Sequence, residues 1–210
     1  MSTSTNLTVA EAMLSRHSVR KYDAAHQISE ADLNEILELA AAAPSSWNLQ
    51  HWRFLVVQEE ANKQKLLPIA YNQQQVVDSS AVIVVLGDTE ANLVAEEVYG
   101  PALAGGYITQ EVHDTLVGNI NRAYANSTTI GREDAIRNAS LASMQLMIAA
   151  KAKGYDTCPI GGFNPAQLIE TYNIPDRYVP VMLITLGKAL SPAHGSGRLP
   201  LERSVIKETF

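Results

Sequence analysis

The stretch from Arg132 to Phe163 constrains the fold of this chain more than any other. It opens as a helical pattern at Arg132-Glu133-Asp134-Ala135-Ile136-Arg137 and continues from Asn138 to Ala150. Between Ala139 and Ala150 the polar residues are Ser140, Ser143 and Gln145, spread around the helical wheel. A helix apolar on every side is expected to be buried on every side, and its Ala and Ser residues allow neighbouring backbones to come close. Lys151 and Lys153 place cations in the last turn, and Gly154 sits where a helix ends. Tyr155-Asp156-Thr157-Cys158-Pro159-Ile160-Gly161-Gly162-Phe163 follows, with two glycines exposing bare backbone. These residues read as a central helix delivering a glycine turn to a ligand, or as a core helix followed by an ordinary turn.

The rest of the chain supplies short helices and few strands. Leu7–Ser15 reads as an amphipathic helix with Thr8 as its N-cap. Ser29-Glu30-Ala31-Asp32 approximates a capping box and opens a helix along Leu33, Ile36, Leu37 and Ala40, closed by Pro44. Trp52–Val57 reads as a strand, residues 59–67 as a helix, and Asn72–Gln75 as the approach to another helix. The continuous apolar run Ala81–Gly87 reads as a central strand. Residues 90–99 and 109–125 read as helices around a break at Gly100-Pro101 and Gly105-Gly106. Asn164-Pro165 opens a helix to Tyr172, and Tyr178–Leu186 reads as the last strand. The tail from Lys188 to Phe210 lacks an apolar face of its own, and either frays or lies against another subunit. The architecture is therefore mixed, with no regular strand–helix alternation.

Composition narrows the function classes. At 210 residues, 46% apolar and 18% charged, the chain has ample length for a globular core. A net charge of -6 argues against nucleic acid or an anionic membrane as the main partner. No apolar run approaches the roughly 18 residues that span a bilayer, and Met1–Asn6 lacks the basic and apolar regions of a secretory signal. The single cysteine, Cys158, fits a reducing cytoplasm, and with no basic neighbour in sequence it reads as a structural thiol.

Against this acidic background, Arg16-His17-Ser18-Val19-Arg20-Lys21 is the densest positive cluster. It suits a phosphate, with Arg forks and a hydroxyl as charge-assisted donors, or it is a solvated helix end. Ser45-Ser46-Trp47-Asn48-Leu49-Gln50 could read the polar edge and side chain of a flat heterocycle, or serve as turn chemistry. Tyr107 and Tyr124 are candidates for a pocket wall, a role that packing residues at helical spacing imitate. The five histidines show no metal-ligand spacing, and no metal site is expected. A nucleophile elbow, a Walker A loop and a dinucleotide fingerprint are all missing. Binding features without a self-contained catalytic set suggest that a cofactor carries the chemistry.

Three segments in one order and spacing resemble the FMN-dependent nitroreductase family: Arg16–Arg20, Pro44–Gln50, and Pro159-Ile160-Gly161-Gly162-Phe163. The likeness covers nearly the whole chain, including Gly187-Lys188 and Arg198-Leu199-Pro200. It is nearest to the bacterial branch of NAD(P)H nitroreductases. The resemblance implies a single α+β domain over residues 1–210, with a central, mostly antiparallel sheet flanked by helices. It also implies an intertwined homodimer whose tail, from about residue 188, extends over the partner. FMN would sit at the interface, with Arg16, His17, Ser18 and Arg198 at its phosphate and ribityl chain. Arg20, Asn72 and Gln75 would lie at the pyrimidine edge of the ring. Ser45, Ser46, Asn48 and Gln50 would come from the other subunit. Pro159 and Ile160 would pack on one ring face, with Gly161 and Gly162 offering backbone N–H near the flavin N5. Tyr107 and Tyr124 fall on the substrate side.

Two positions depart from the family pattern. Gly161 stands where many members carry an acid, and Gln75 stands where many carry a lysine, leaving Arg20 as the cation at the ring. The implied activity is hydride transfer from NADH or NADPH through the flavin to nitroaromatic, quinone or similar planar acceptors, with no catalytic side chain. The alternatives are a flavin-dependent dehydrogenase or dehalogenase of the same fold, and a non-catalytic flavin-binding redox sensor.

Overall fold

A computed structural model describes residues 7–210; the reading of Met1–Asn6 lies outside them. Thr8 caps α1 (Val9–Ser15), its side chain accepting from the Glu11 N–H while the Glu11 carboxylate accepts from the Thr8 N–H at 2.7 Å. Ser29 caps α2 (Glu30–Ala41) through the Asp32 N–H. β1 (Trp52–Val57), α3 (Glu60–Ile69), the single turn α4 (Gln75–Asp78) and β2 (Ala81–Asp88) follow. Next come α5 (Ala95–Ala104), α6 (Gln110–Ala125), α7 (Ile130–Ala152), β3 (Asp156–Ile160), α8 (Pro165–Tyr172) and β4 (Tyr178–Gly187). Among the described residues, no helix is long and apolar enough to cross a membrane.

The four strands form one sheet in the order β1-β2-β4-β3, every pair antiparallel. All eight residues of β2 are buried, because both faces of the sheet are covered. Ala81, Ile83 and Val85 pack with Ala139, Ala142 and Leu146 of α7 and Ile36 of α2. Val82, Val84 and Leu86 face Leu66 of α3 and Leu168 of α8. Two-residue alternation in β2 thus splits a uniformly apolar run between two cores, and each buried Leu, Ile or Val contributes about 1.5–3 kcal/mol.

The small residues of α7 bring it against β2. A Cβ added at Gly87 would lie 2.7 Å from the Ala135 carbonyl oxygen, so only glycine permits this crossing. Within one chain, however, α7 is not buried on every side. Ile136, Leu141 and Met144 are 38, 46 and 43% exposed and form an apolar stripe on its outer face.

Two other readings are corrected. Asp156–Ile160 is an edge strand rather than part of a turn, which shortens the glycine turn to the residues after Ile160. Pro159 disguises it, but a proline is tolerated where a strand has an unpaired side. α5 runs through Gly100-Pro101 to Ala104 and stops only at Gly105. Its half-exposed surface gives the carbonyl freed by Pro101 access to water.

Candidate functional site

The cationic segment docks on the free edge of β3. Ser18 bridges Thr157, and the Val19 N–H donates to the Thr157 carbonyl at 3.1 Å. This places Arg16, His17 and Ser18, all half-buried, and the exposed Arg20 along the strand that leads to Gly161 and Gly162. Arg16 Nη1, His17 Nδ1 and Thr157 Oγ1 are buried without a hydrogen-bond partner among the described residues. Such atoms are costly unless something accepts from or donates to them. None of Arg16, Arg20 and Lys21 is ion-paired among the described residues. Three uncompensated cations in a chain of net charge -6 make this corner a place for an anion.

The start of the tail closes over it. The Leu190 N–H donates to the Lys21 carbonyl at 2.9 Å, and Ser191–His194 roof a cavity of about 310 Å³ floored by Ser18, Arg20 and Lys21. Arg198 does not reach the cluster within this chain; its guanidinium donates to Ser196 and Gly197 of the tail itself. Beneath the corner, Cys158 is buried. Burial pushes its thiol up, opposed by Arg20, Ser18 and Arg16, so it stays protonated at neutral pH.

Asn72 and Gln75 come to the same edge. Tyr71 and Asn72 both adopt left-handed backbone (φ 54 and 58) at the end of α3, turning the chain toward the glycines. Gln73, which sequence reasoning passed over, donates from Nε2 to the Gly162 carbonyl at 2.9 Å and accepts from Gln75 Nε2 at 3.1 Å. Arg16–Arg20, Asn72–Gln75 and Pro159–Gly162 thus lie along one edge of the sheet.

Ser45, Ser46, Asn48 and Gln50 form a second group elsewhere. Their loop contains a 3-10 turn over Ser46–Asn48, with Trp47, Asn48 and Gln50 at φ 50, 55 and 47. Three left-handed residues so close together persist only when the surroundings impose them. The Gln50 N–H donates to Ser45 Oγ at 2.9 Å, and Tyr99 Oη donates to the Trp47 carbonyl at 3.0 Å. Buried Asn138 of α7 accepts from the Ser46 N–H. An asparagine inside a helix is disfavoured, and that was the available signal for Asn138.

Buried His51 lies below this loop, bonded through Nε2 to Tyr124 Oη at 2.9 Å. Burial lowers the His51 pKa, against the pull of Asp134 and Asp88. Burial, followed by the same two carboxylates, raises that of Tyr124. Buried Asp88 is held by Arg177, with Nε and Nη2 at 3.0 and 2.6 Å from its two oxygens. Tyr124 is therefore engaged internally, while Tyr107 is 86% exposed. A cleft of about 290 Å³ separates Asn48, Gln50 and Arg53 from Val94, Glu97 and Val98 near the start of α5.

The two groups lie on opposite edges of the sheet, and the Arg16–Ser18 end of the first is at the corner diagonal to the loop. β1 and β3 are its two edges, about 14 Å apart at three strand spacings. Thr157 is level with Leu186 and Ala81, whereas Trp52 is level with Gly87, six positions further along β2 and about 20 Å away. One chain does not bring the Ser45–Gln50 loop to its own cationic corner.

This is an α+β fold with a cationic segment and a glycine turn along one sheet edge, and comparison with known proteins gives it a family. Residues 13–188 match the model described as the Nitroreductase family. The chain is 55% identical over 193 residues to the Bacillus subtilis (strain 168) protein named "Putative NAD(P)H nitroreductase YodC", covering 92% of this chain and 95% of that one. It is 37% identical to the "CLA biosynthesis enone reductase" of Lactiplantibacillus plantarum, covering 90% and 89% of the two chains. The crystal structure of a "putative nitroreductase in complex with FMN" from Exiguobacterium sibiricum 255-15 superposes with a TM-score of 0.90 at 42% identity. That match covers 96% of this chain and 98% of the other. The chain belongs to the nitroreductase family, and with it to the oxidoreductases.

Proposed function

We propose that this chain is an FMN-dependent oxidoreductase that carries reducing equivalents from NADH or NADPH to nitroaromatic, quinone or similar planar acceptors. It works as a homodimer with two sites, each assembled from both subunits. The observation that carries this reading is the pair of buried nitrogens, Arg16 Nη1 and His17 Nδ1, that have no hydrogen-bond partner among the described residues. A phosphate supplies the acceptor oxygens and negative charge that both lack. FMN, when bound, would supply the redox chemistry between the nicotinamide and the acceptor.

The chain's own residues bind and orient. Arg16, His17 and Ser18 hold the phosphate and ribityl chain, with Arg198 joining from the tail. Arg20 supplies a fixed positive charge where negative charge builds up on the ring, and Asn72 and Gln75 bond to the same edge. Gly161 and Gly162 offer N–H groups with no Cβ in the way, and Pro159 and Ile160 pack on the ring. Protonated Cys158 is left without a nucleophilic role.

The dimer answers two observations. The exposed Ile136, Leu141 and Met144 of α7 find cover against a second copy, and the Ser45–Gln50 loop reaches the corner of the other subunit rather than its own. The tail has the same need. Beyond Leu190 it makes no backbone hydrogen bond to the body among the described residues, and Leu199, Leu201, Ile206 and Phe210 are exposed. Lying over the partner buries them.

The visible spectrum of the purified protein tests the cofactor. A yellow protein releasing FMN on denaturation is expected, bleached by NADH or NADPH in stopped flow and recoloured by a quinone or nitroaromatic. A protein that binds no added FMN overturns the reading; bound FMN that neither nicotinamide reduces overturns the enzyme.

A further inference from the structure

The Gly161–Gly162 turn has little to hold it. A Cβ built on Gly161 meets no atom within 4 Å, and one on Gly162 meets only Gln73 Nε2, at 3.8 Å. Both glycines are exposed, and a glycine pair has more backbone freedom than any other. Ile160 is fixed upstream by pairing with Leu183, and the Asn164 N–H is fixed downstream on the Ile69 carbonyl at 2.9 Å. Between these anchors, Gln73 is the one side chain hydrogen-bonded to the turn among the described residues.

The geometry defines the Gln73 amide fully. Nε2 donates to two carbonyls, those of Gly162 at 2.9 Å and Ala70 at 3.0 Å, so its two hydrogens are used. A flipped amide would set an oxygen against both carbonyls. Oε1 must therefore face Gln75, which donates to it from Nε2 at 3.1 Å, and this fixes the Gln75 amide as well. Gln75 is buried, and this is its one side-chain hydrogen bond among the described residues. The left-handed pair Tyr71 and Asn72 aims Gln73 at the turn. The Tyr71 N–H bonds to the Pro68 carbonyl at 3.1 Å and the Asn72 N–H to the Leu67 carbonyl at 2.9 Å. Backbone strain held by such bonds at a functional corner is the mark of an imposed geometry.

We propose that Gln73 is a positioning residue that locks the glycine turn and the Gln75 amide into one unit. This rests on the FMN-dependent reading above, in which the two elements meet different parts of the same ring. With Gln73 in place, the turn enters binding already ordered, and the Gln75 amide presents a fixed polarity to the flavin edge. Without it, the glycine N–H groups sample many directions and Gln75 rotates.

The test compares wild-type protein with Gln73→Met, which keeps length and volume but none of the three bonds, and with Gln73→Glu, which keeps an acceptor toward Gln75 but loses the donors to Gly162 and Ala70. In the apo protein, hydrogen exchange at residues 162–164 is expected to rise about five-fold in both variants, as for the loss of one neutral hydrogen bond. In the holo protein, both variants are expected to keep FMN, shift the midpoint potential and absorption bands of the flavin, and slow reduction by NADH or NADPH about five-fold. If Gln73→Met fails to fold, Gln73→Glu is read by the same measurements. A variant with lowered melting temperature but wild-type potential, spectrum and local exchange makes Gln73 merely structural and overturns the inference. Wild-type protein that binds no FMN overturns this inference together with the proposed function, whereas wild-type binding with unchanged variants overturns the inference alone.

Discussion

Asn138 of α7 grips Ser46 of the α2–β1 loop twice. Its Oδ1 accepts from the Ser46 N–H at 3.0 Å, and its Nδ2 donates to Ser46 Oγ at 3.3 Å while also bonding to the Asp134 carbonyl at 2.8 Å. A residue of the longest helix thereby shapes a loop whose three left-handed residues would not hold by themselves. Asn138→Ala leaves the Ser46 N–H without an acceptor, and a stability loss of about 1–3 kcal/mol is expected. Urea unfolding measures it, and FMN titration of the same variant should show weaker binding. Wild-type values in both would mean that the loop holds itself.

The two arginines of the cationic corner have separable effects. Arg16→Ala removes a buried guanidinium donor and should weaken FMN retention by about ten-fold or more, as for a lost charge-assisted bond, visible as flavin lost on gel filtration. Arg20→Ala, at an exposed position, should keep the flavin but lower its midpoint potential and slow reduction. Full FMN occupancy and unchanged reduction rates in both variants would contradict these assignments.

His51 predicts an acid limb to stability. Burial depresses its folded pKa below the ordinary 6.5. Above about pH 6.5 both folded and unfolded states hold a neutral imidazole, and the stabilisation is complete. As pH falls below that value the unfolded chain takes up a proton first, so stability is lost down through the folded pKa. Melting temperature followed from pH 7.5 to 5 should decline less steeply in His51→Gln than in wild type. Parallel curves would exclude His51 as the source.

The exposed stripe of α7 is the place to break the proposed dimer. Leu141→Lys with Met144→Lys puts two charges on that face, each of which would have to be desolvated on association. Sedimentation should give a monomer that keeps its far-ultraviolet circular dichroism and loses FMN. A dimer that persists with its flavin would move the interface elsewhere.

The parts of the fold written in local chemistry were readable in advance. Thr8, Asn164 with Pro165, and Gly154 after Lys151 mark helix ends through bonds spanning a few residues. β2 was readable because the uninterrupted run Ala81–Gly87 carries no polar side chain and needs cover on both faces. β3 was obscured by Pro159, whose tolerance depends on an edge position that no local pattern reveals. Gly100-Pro101 misled in the opposite sense, since a half-exposed helix can solvate the carbonyl a proline frees. At the candidate site, the residue types of Arg16–Arg20 and the two glycines singled out in advance two segments that the fold sets along one sheet edge. Gln73 and Asn138 did not, because their partners Gly162 and Ser46 lie 89 and 92 residues away and become neighbours only in the folded chain.

The distance between the Ser45–Gln50 loop and the Arg16 corner has a genetic corollary. If each site draws one half from each subunit, a lesion in the loop and a lesion in the corner, carried on different chains, fall together in one site of a mixed pair and spare the other. Two inactive alleles expressed side by side would then complement. With random assortment half the dimers are mixed, and about a quarter of all sites are whole. A lesion in either half, expressed beside the intact chain, would spare the other site of each mixed pair and halve the activity rather than abolish it.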